Sequence, residues 1–136
     1  MVLDPTTLRS LEIERTLRTG AREGSLLAAV DRTMTPMGAR LLRYWLCYPL
    51  RDLAEIHRRQ ELIVTLHAAP AVRAALRATL REMGDVERMI GRLGVQRTTP
   101  RELRALGASL SRLAEVRDRL RGLRSAECEA LATPLA

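Results

Sequence analysis

Few side chains in this sequence are suited to chemistry. Its two histidines, His57 and His67, stand ten residues apart. On one helix that spacing leaves them about 80° out of phase, so they cannot offer nitrogen ligands to a single metal ion. Cys47 and Cys128 are far apart and fall inside helical patterns, where they read as reduced thiols rather than a disulfide framework. No His-Glu-x-x-His run and no glycine-rich phosphate loop occurs, and all 23 basic residues are Arg. Without Lys the chain cannot hold the Gly-Lys-Ser/Thr loop that cradles a nucleotide triphosphate. Acidic residues sit beside arginines at helical spacing, as in Glu55 with Arg59 and Glu115 with Arg119, which is ordinary surface pairing. The expectation is a chain with no catalytic, cofactor-binding or metal site of its own, and hence not an enzyme.

Two patterns remain that could recognise something. Tyr44, Trp45 and Tyr48 are all the aromatic residues of the chain, gathered in "TPMGARLLRYWLCYP" at 35–49. Exposed beside a basic groove, they would make a stacking platform for bases. The helical reading favours a core instead. Met37, Leu41, Trp45 and Tyr48 line one side, Leu42 and Leu46 fill the next, and only Arg40 and Arg43 interrupt the apolar surface. A helix apolar nearly all round belongs in the middle of a helical assembly. Thr35 and Pro36 would start it, and Gly38 would leave room for a neighbouring backbone. Thr35, Pro36, Gly38, Arg40, Leu41, Trp45 and Tyr48 are therefore expected to form a structural keystone. The second pattern is Arg73, Arg77 and Arg81, repeating every four residues opposite Val72, Leu76, Leu80 and Met83. Like charges at that spacing repel by a few tenths of a kcal/mol per pair, which phosphate or an acidic partner would relieve. A simple solvated face is the competing reading.

The elements that must position these residues are helices. Of 136 residues, 46% are hydrophobic and 29% charged, an ordinary globular balance in a chain long enough to bury a core. The net charge of +7 invites a nucleic-acid reading, although the arginines are spread along the whole chain. The longest run without a charged residue, 62–72, is far short of the roughly 20 residues that span a bilayer, so no membrane contact is expected. "MVLDPTTLRS" lacks the basic and apolar regions of a secretory signal, and a cytoplasmic location is expected. Residues 1–24 read as an extended arm around "LRSLEI", with Gly20 and Gly24 marking a loop. Ser25 caps the next helix, Thr35-Pro36 opens another, and Pro49 closes it. Asp52 and Glu55 suggest a capping pair, Pro70 starts a helix that Gly84 stops, and Asp85 caps "VERMIGRL". Thr99-Pro100 with Glu102 starts a helix of about 20 residues, roughly 30 Å long. Its apolar seam runs through Leu103, Leu106, Leu110, Leu113 and Leu120, with Arg117 in one slot and Val116 beside it. Ser125 begins a short last helix and "TPLA" is a tail. With no hairpin signal and no repeat, the fold class is all-α: an irregular multi-helix domain with an extended N-terminal arm and one long amphipathic helix.

Five segments resemble, in order and spacing, the MutS family of bacterial DNA mismatch-repair proteins. They are "LDPTTLRSLEI" (3–13), "SLLAAVDRTMTPMGARLLRYWLCYPLRD" (25–52), "RRQELI" (58–63), "GDVERMIGRL" (84–93) and "TPRELRALGASL" (99–110). The Thr-Pro-Met-Gly block, followed by Arg-Leu-Leu and Trp-Leu, is the most specific. The resemblance covers residues 1–123 and implies the family's core, or third, domain, a helical hub. It adds Asp85, Glu87 and Arg88 of the fourth segment to the keystone set. It implies an arm at 1–24, the first half of the core at 25–123 and the approach to a lever at 124–136. It further implies a hub that links mismatch-reading and connector domains to levers, DNA clamp and ATPase, and that transmits conformational change. The expected partners are the other domains of the parent protein, with DNA bound weakly and non-specifically, in a family that forms dimers. Family members wedge a Phe into mismatched DNA and hydrolyse ATP with Mg at a Walker motif; this chain has neither Phe nor Lys. A stand-alone Arg-rich helical module that binds nucleic acid, or a scaffold that binds protein through the Leu103–Leu120 seam, is the alternative.

Overall fold

The computed structural model describes residues 3–135. The described residues form helices joined by short turns, with no strand among them, as an all-α chain should. They divide into two compact units, Met1–Leu53 and Ala54–Ala136.

The first unit opens with α1 (Pro5–Ser10). Asp4 caps it, accepting from the Thr7 N–H at 3.0 Å and from the Thr7 hydroxyl at 2.6 Å, and Pro5 takes the first helical position. The expected extended arm is thus corrected: its first part is helical and the rest is a series of turns around Gly20 and Gly24. Two backbone bonds tie these turns to the start of the next helix, Leu26 N–H to the Glu12 carbonyl and Leu27 N–H to that of Ile13. Ser25 caps that helix, α2 (Leu26–Val30), its hydroxyl accepting from the Ala28 N–H at 3.2 Å. Next, α3 (Pro36–Cys47) starts at Thr35-Pro36 as the sequence predicts, and α2 packs against it. Among the described residues of this unit, Ile13, Leu27 and Cys47 are the buried apolar ones.

The second unit carries α4 (Leu53–Ala68), α5 (Pro70–Arg81), α6 (Val86–Gly94), α7 (Pro100–Ser111), α8 (Leu113–Arg121) and α9 (Ala126–Ala132), then a 3₁₀ turn at Thr133–Leu135. Its starts follow the expected signals. Asp85 accepts from the Arg88 N–H at the head of α6, and Thr99 and Glu102 form a complete capping box at the head of α7. The core is built from Leu76, Val116, Leu120, Cys128 and Ala132, flanked by Leu62, Leu66, Val72, Leu80, Leu123 and Leu135. The short last helix expected from Ser125 forms as α9, which packs on α8 and buries Cys128 and Ala132 completely.

The long helix of the sequence reading is two helices. The ladder breaks at Arg112, whose N–H bonds to the Ser109 carbonyl in 3₁₀ fashion at 3.3 Å. Side chains cause the break. The Ser109 hydroxyl donates to the Ala105 carbonyl, and both the Ser111 hydroxyl and the Arg112 guanidinium donate to that of Ala108. Such back-bonding competes with the backbone ladder and bends helices. The break also splits the seam's fate. Leu106, Val116 and Leu120 are buried, whereas Leu103 and Leu110 are exposed.

Candidate functional site

The aromatic helix is where the sequence places its keystone. Thr35 caps α3 by accepting from the Gly38 N–H at 3.0 Å, and Pro36 follows it. A Cβ added at Gly38 would stand 3.1 Å from the Thr35 hydroxyl and 3.5 Å from Thr33 Cβ. The glycine thus makes room for side chains of its own capping loop, not for a neighbouring backbone. Arg40 is half-buried.

The burial of this helix departs from expectation. Trp45 is 39% exposed, Tyr48 46%, Leu41 49% and Tyr44 58%. Tyr44 and Tyr48 lie against each other, ring centroids 4.9 Å apart at 35°. Within residues 3–135 the Leu41–Tyr48 face is therefore surface, and the core placement of Leu41, Trp45 and Tyr48 is corrected. The physical reason is the small size of the first unit: Cys47, on another side of α3, is its buried contact with the rest of that unit.

The other keystone residues, Asp85, Glu87 and Arg88, belong to the second unit. Asp85 caps α6, and Arg88 reaches back to it at 3.6 Å. Glu87 lies exposed in the first turn. The Gly84 N–H just before them donates to the Ser109 hydroxyl at 3.1 Å, bracing this turn against α7. A Cβ at Gly84 would meet Met89 Cε at 2.5 Å, so glycine is what lets that side chain fold over the turn.

Arg73, Arg77 and Arg81 do line one shallow groove of about 260 Å³ with Pro70, Ala74 and Ala78. Yet Arg73 has work inside the fold. Its Nη1 donates to the Leu66 and His67 carbonyls, both at 3.3 Å, closing the C-terminus of α4. A guanidinium there satisfies orphan carbonyls and complements the helix dipole. Elsewhere the arginines pair with carboxylates, such as Arg112 with Glu82 at 2.7 Å and Arg121 with Glu129 at 3.0 Å. Among the described residues, no group of three or more His, Cys, Asp or Glu is arranged to hold a metal ion. No helix among them is long and apolar enough to cross a membrane.

One cluster escaped the sequence reading. Arg15, Arg22, Arg40 and Arg43 line a concavity of about 380 Å³ in the first unit, with Glu14 on its wall. No spacing rule signals it, because the bonds between 12–13 and 26–27 tie the turns to α2, which in turn packs on α3. Glu14 pairs with Arg43, and that hydrogen-bonded guanidinium holds its carboxyl below the usual carboxylate range. The Cys47 thiol nearby is pushed up by burial.

This chain has recognisable relatives. The family model "MutS domain III" matches residues 6–135. A DNA mismatch repair protein MutS from Symbiobacterium thermophilum is 50% identical over 125 residues, 92% of this chain and 14% of that protein. Its counterpart from Parasynechococcus marenigrum is 48% identical over 122 residues, 90% of this chain and 14% of its own length. That from Chlorobaculum tepidum is 42% identical over 135 residues, 99% and 15% respectively. The chain spans about one seventh of the length of these relatives.

Proposed function

The chain belongs to the MutS domain III family, and from that premise we propose that it serves as a mechanical hub within a DNA mismatch-repair protein. In this reading it performs no chemistry. It joins the mismatch-reading and connector domains to the lever, clamp and ATPase, and passes conformational change between them. The observation that carries the reading is the apolar face of α3. Leu41, Tyr44, Trp45 and Tyr48 are too exposed for a finished core, and a contiguous apolar patch of this kind marks a contact surface. Its occupants are the remaining domains of the parent protein. The second unit supplies the stiffness, since packed helices shift between discrete arrangements rather than deform continuously. Direct DNA contact is weak and blind to mismatches, dimerisation belongs to the full-length protein, and the compartment is the bacterial cytoplasm.

ATP and Mg do not fit the residues present. There is no Lys, and Gly91 and Gly94 lie within α6 rather than in a loop that could wrap a phosphate chain. The reading assigns that chemistry to the ATPase of the parent protein.

The test exchanges residues 6–135 into the Symbiobacterium relative and supplies the chimera to a repair-deficient bacterium. Restored low mutation frequency is expected. Adding Trp45→Ala with Tyr48→Ala should raise the frequency at least about tenfold, while the purified chimera still hydrolyses ATP but no longer releases mismatched DNA on nucleotide addition. Normal repair by the doubly substituted chimera would sink the hub reading.

A further inference from the structure

Four arginines from three different stretches of the first unit converge on one concavity. We propose that Arg15, Arg22, Arg40 and Arg43 form a phosphate-binding site, taking up either a free phosphate or pyrophosphate ion or a phosphodiester of a nucleic-acid backbone. Three of these side chains are oriented by the fold itself. Arg15 Nη1 donates to the Gly20 carbonyl at 2.9 Å, Arg22 Nη2 to Asp31 at 2.7 Å, and Arg43 Nε to Glu14. A guanidinium carries five N–H donors in a fixed fork, so each of the three keeps donors for a ligand while its orientation is already set.

The charge balance points the same way. Asp31 is itself pinned by the Thr33 hydroxyl at 2.7 Å and the Thr33 N–H at 3.1 Å, and Thr33 and Arg22 keep its carboxyl ionised. Asp31 pairs with Arg22 and Glu14 with Arg43, while Arg15 is bonded to a carbonyl and keeps its charge, so these three guanidiniums carry one positive charge more than their two carboxylates. The charge of a phosphodiester or a phosphate monoanion matches that excess. Leu27 and Ala39 give the hollow an apolar floor, where charge-assisted hydrogen bonds are worth more than in open water. Its volume, about 380 Å³, lies at the lower end of the range for small-ligand sites. A second concavity shares the Glu14–Arg15 wall and adds Arg9 and Arg18. A ligand with two linked phosphates therefore reaches further than orthophosphate does.

The experiment monitors the arginine Nε–H resonances of the 136-residue chain at low salt while pyrophosphate, orthophosphate, acetate or a short DNA duplex is added. Pyrophosphate should shift the Arg15, Arg22 and Arg43 resonances saturably and bind more tightly than orthophosphate. Arg15→Gln with Arg22→Gln should weaken it by about tenfold or more, because two charge-assisted donors are lost. Arg73→Gln, Arg77→Gln and Arg81→Gln together should leave it within about twofold. Glu14→Gln should tighten binding by removing a competing carboxylate, an effect that mere loosening of the fold would reverse. DNA that displaces pyrophosphate from these resonances makes the source a nucleic-acid backbone; DNA that leaves them unmoved makes it the free ion. Non-saturating shifts, equal losses in the two sets of variants, or acetate binding as tightly as pyrophosphate would overturn the proposal.

Discussion

The two units of this chain handle apolar sequence in opposite ways. In the second, the least conspicuous residues make the tightest core: Cys128 and Ala132, both fully buried, sit among Leu76, Val116 and Leu120. In the first, the helix that holds every aromatic residue of the chain leaves Leu41, Tyr44 and Trp45 exposed, with Tyr48 exposed at its end, and Ile13, Leu27 and Cys47 make the core among the described residues. Apolar periodicity reports that a face has a partner. It does not report where in a protein that partner is encoded. The family model matches residues 6–135, and the chain spans about one seventh of the length of its relatives.

The sharpest way to break this contrast is to attack both cores. Leu120→Ala should destabilise the second unit by about 2–4 kcal/mol, since a buried leucine loses its transfer free energy and leaves a cavity. Urea unfolding monitored by circular dichroism gives the figure, and a loss under about 1 kcal/mol would mean that the core is loosely packed. Trp45→Ala should cost the same chain only about 1–2 kcal/mol, against the roughly 3–5 kcal/mol of a core tryptophan. A cost at the upper range would return Trp45 to the interior and erase the difference between the units.

Smaller effects sharpen the comparison. Arg73→Gln should cost about 0.5–1 kcal/mol through the frayed end of α4, more than either Arg77→Gln or Arg81→Gln. Hydrogen exchange at residues 64–68 should rise in that variant alone among the three; equal exchange would reduce Arg73 to a solvated charge. The smallest effect is with pH. Glu14 is depressed by Arg43 and Asp31 by Thr33, so their contribution is present above the ordinary values of 4.5 and 3.8. It is lost as pH falls through the lower folded values. Acid should therefore loosen the turns of 12–31 slightly, seen as faster exchange of the Leu27 N–H below about pH 4. No change down to about pH 2 would remove these carboxylates from the account.

Helix starts are the legible part of the fold, because their signals are local. Ser25, Thr35-Pro36, Asp85 and Thr99-Pro100 each cap within three residues, and each forms as read. Asp4-Pro5 carries the same signal, masked in the sequence by the apolar run of "LRSLEI" just beyond it. The joint at Arg112 is not legible, since the leucine spacing continues across it while serine and arginine side chains compete for the carbonyls beneath. The stripe of Arg73, Arg77 and Arg81 suggests one shared role, yet the partners of Arg73 lie back across the Pro70 turn, at the end of another helix. The basic concavity needs backbone bonds between segments more than ten residues apart, which no periodicity encodes.

Each unit also contains a single thiol, Cys47 in one and Cys128 in the other, and both are buried and unpaired. A thiol shielded in this way reacts with an alkylating reagent only when the structure around it opens. The chain therefore carries two internal stopwatches, one per unit, that record separate opening rates in a single labelling experiment resolved by peptide mass. The Cys47 clock runs slow for a second reason, because burial keeps its sulfur protonated. Comparing the two rates with and without the rest of the parent protein would show which unit gains protection when the outward face of α3 is covered.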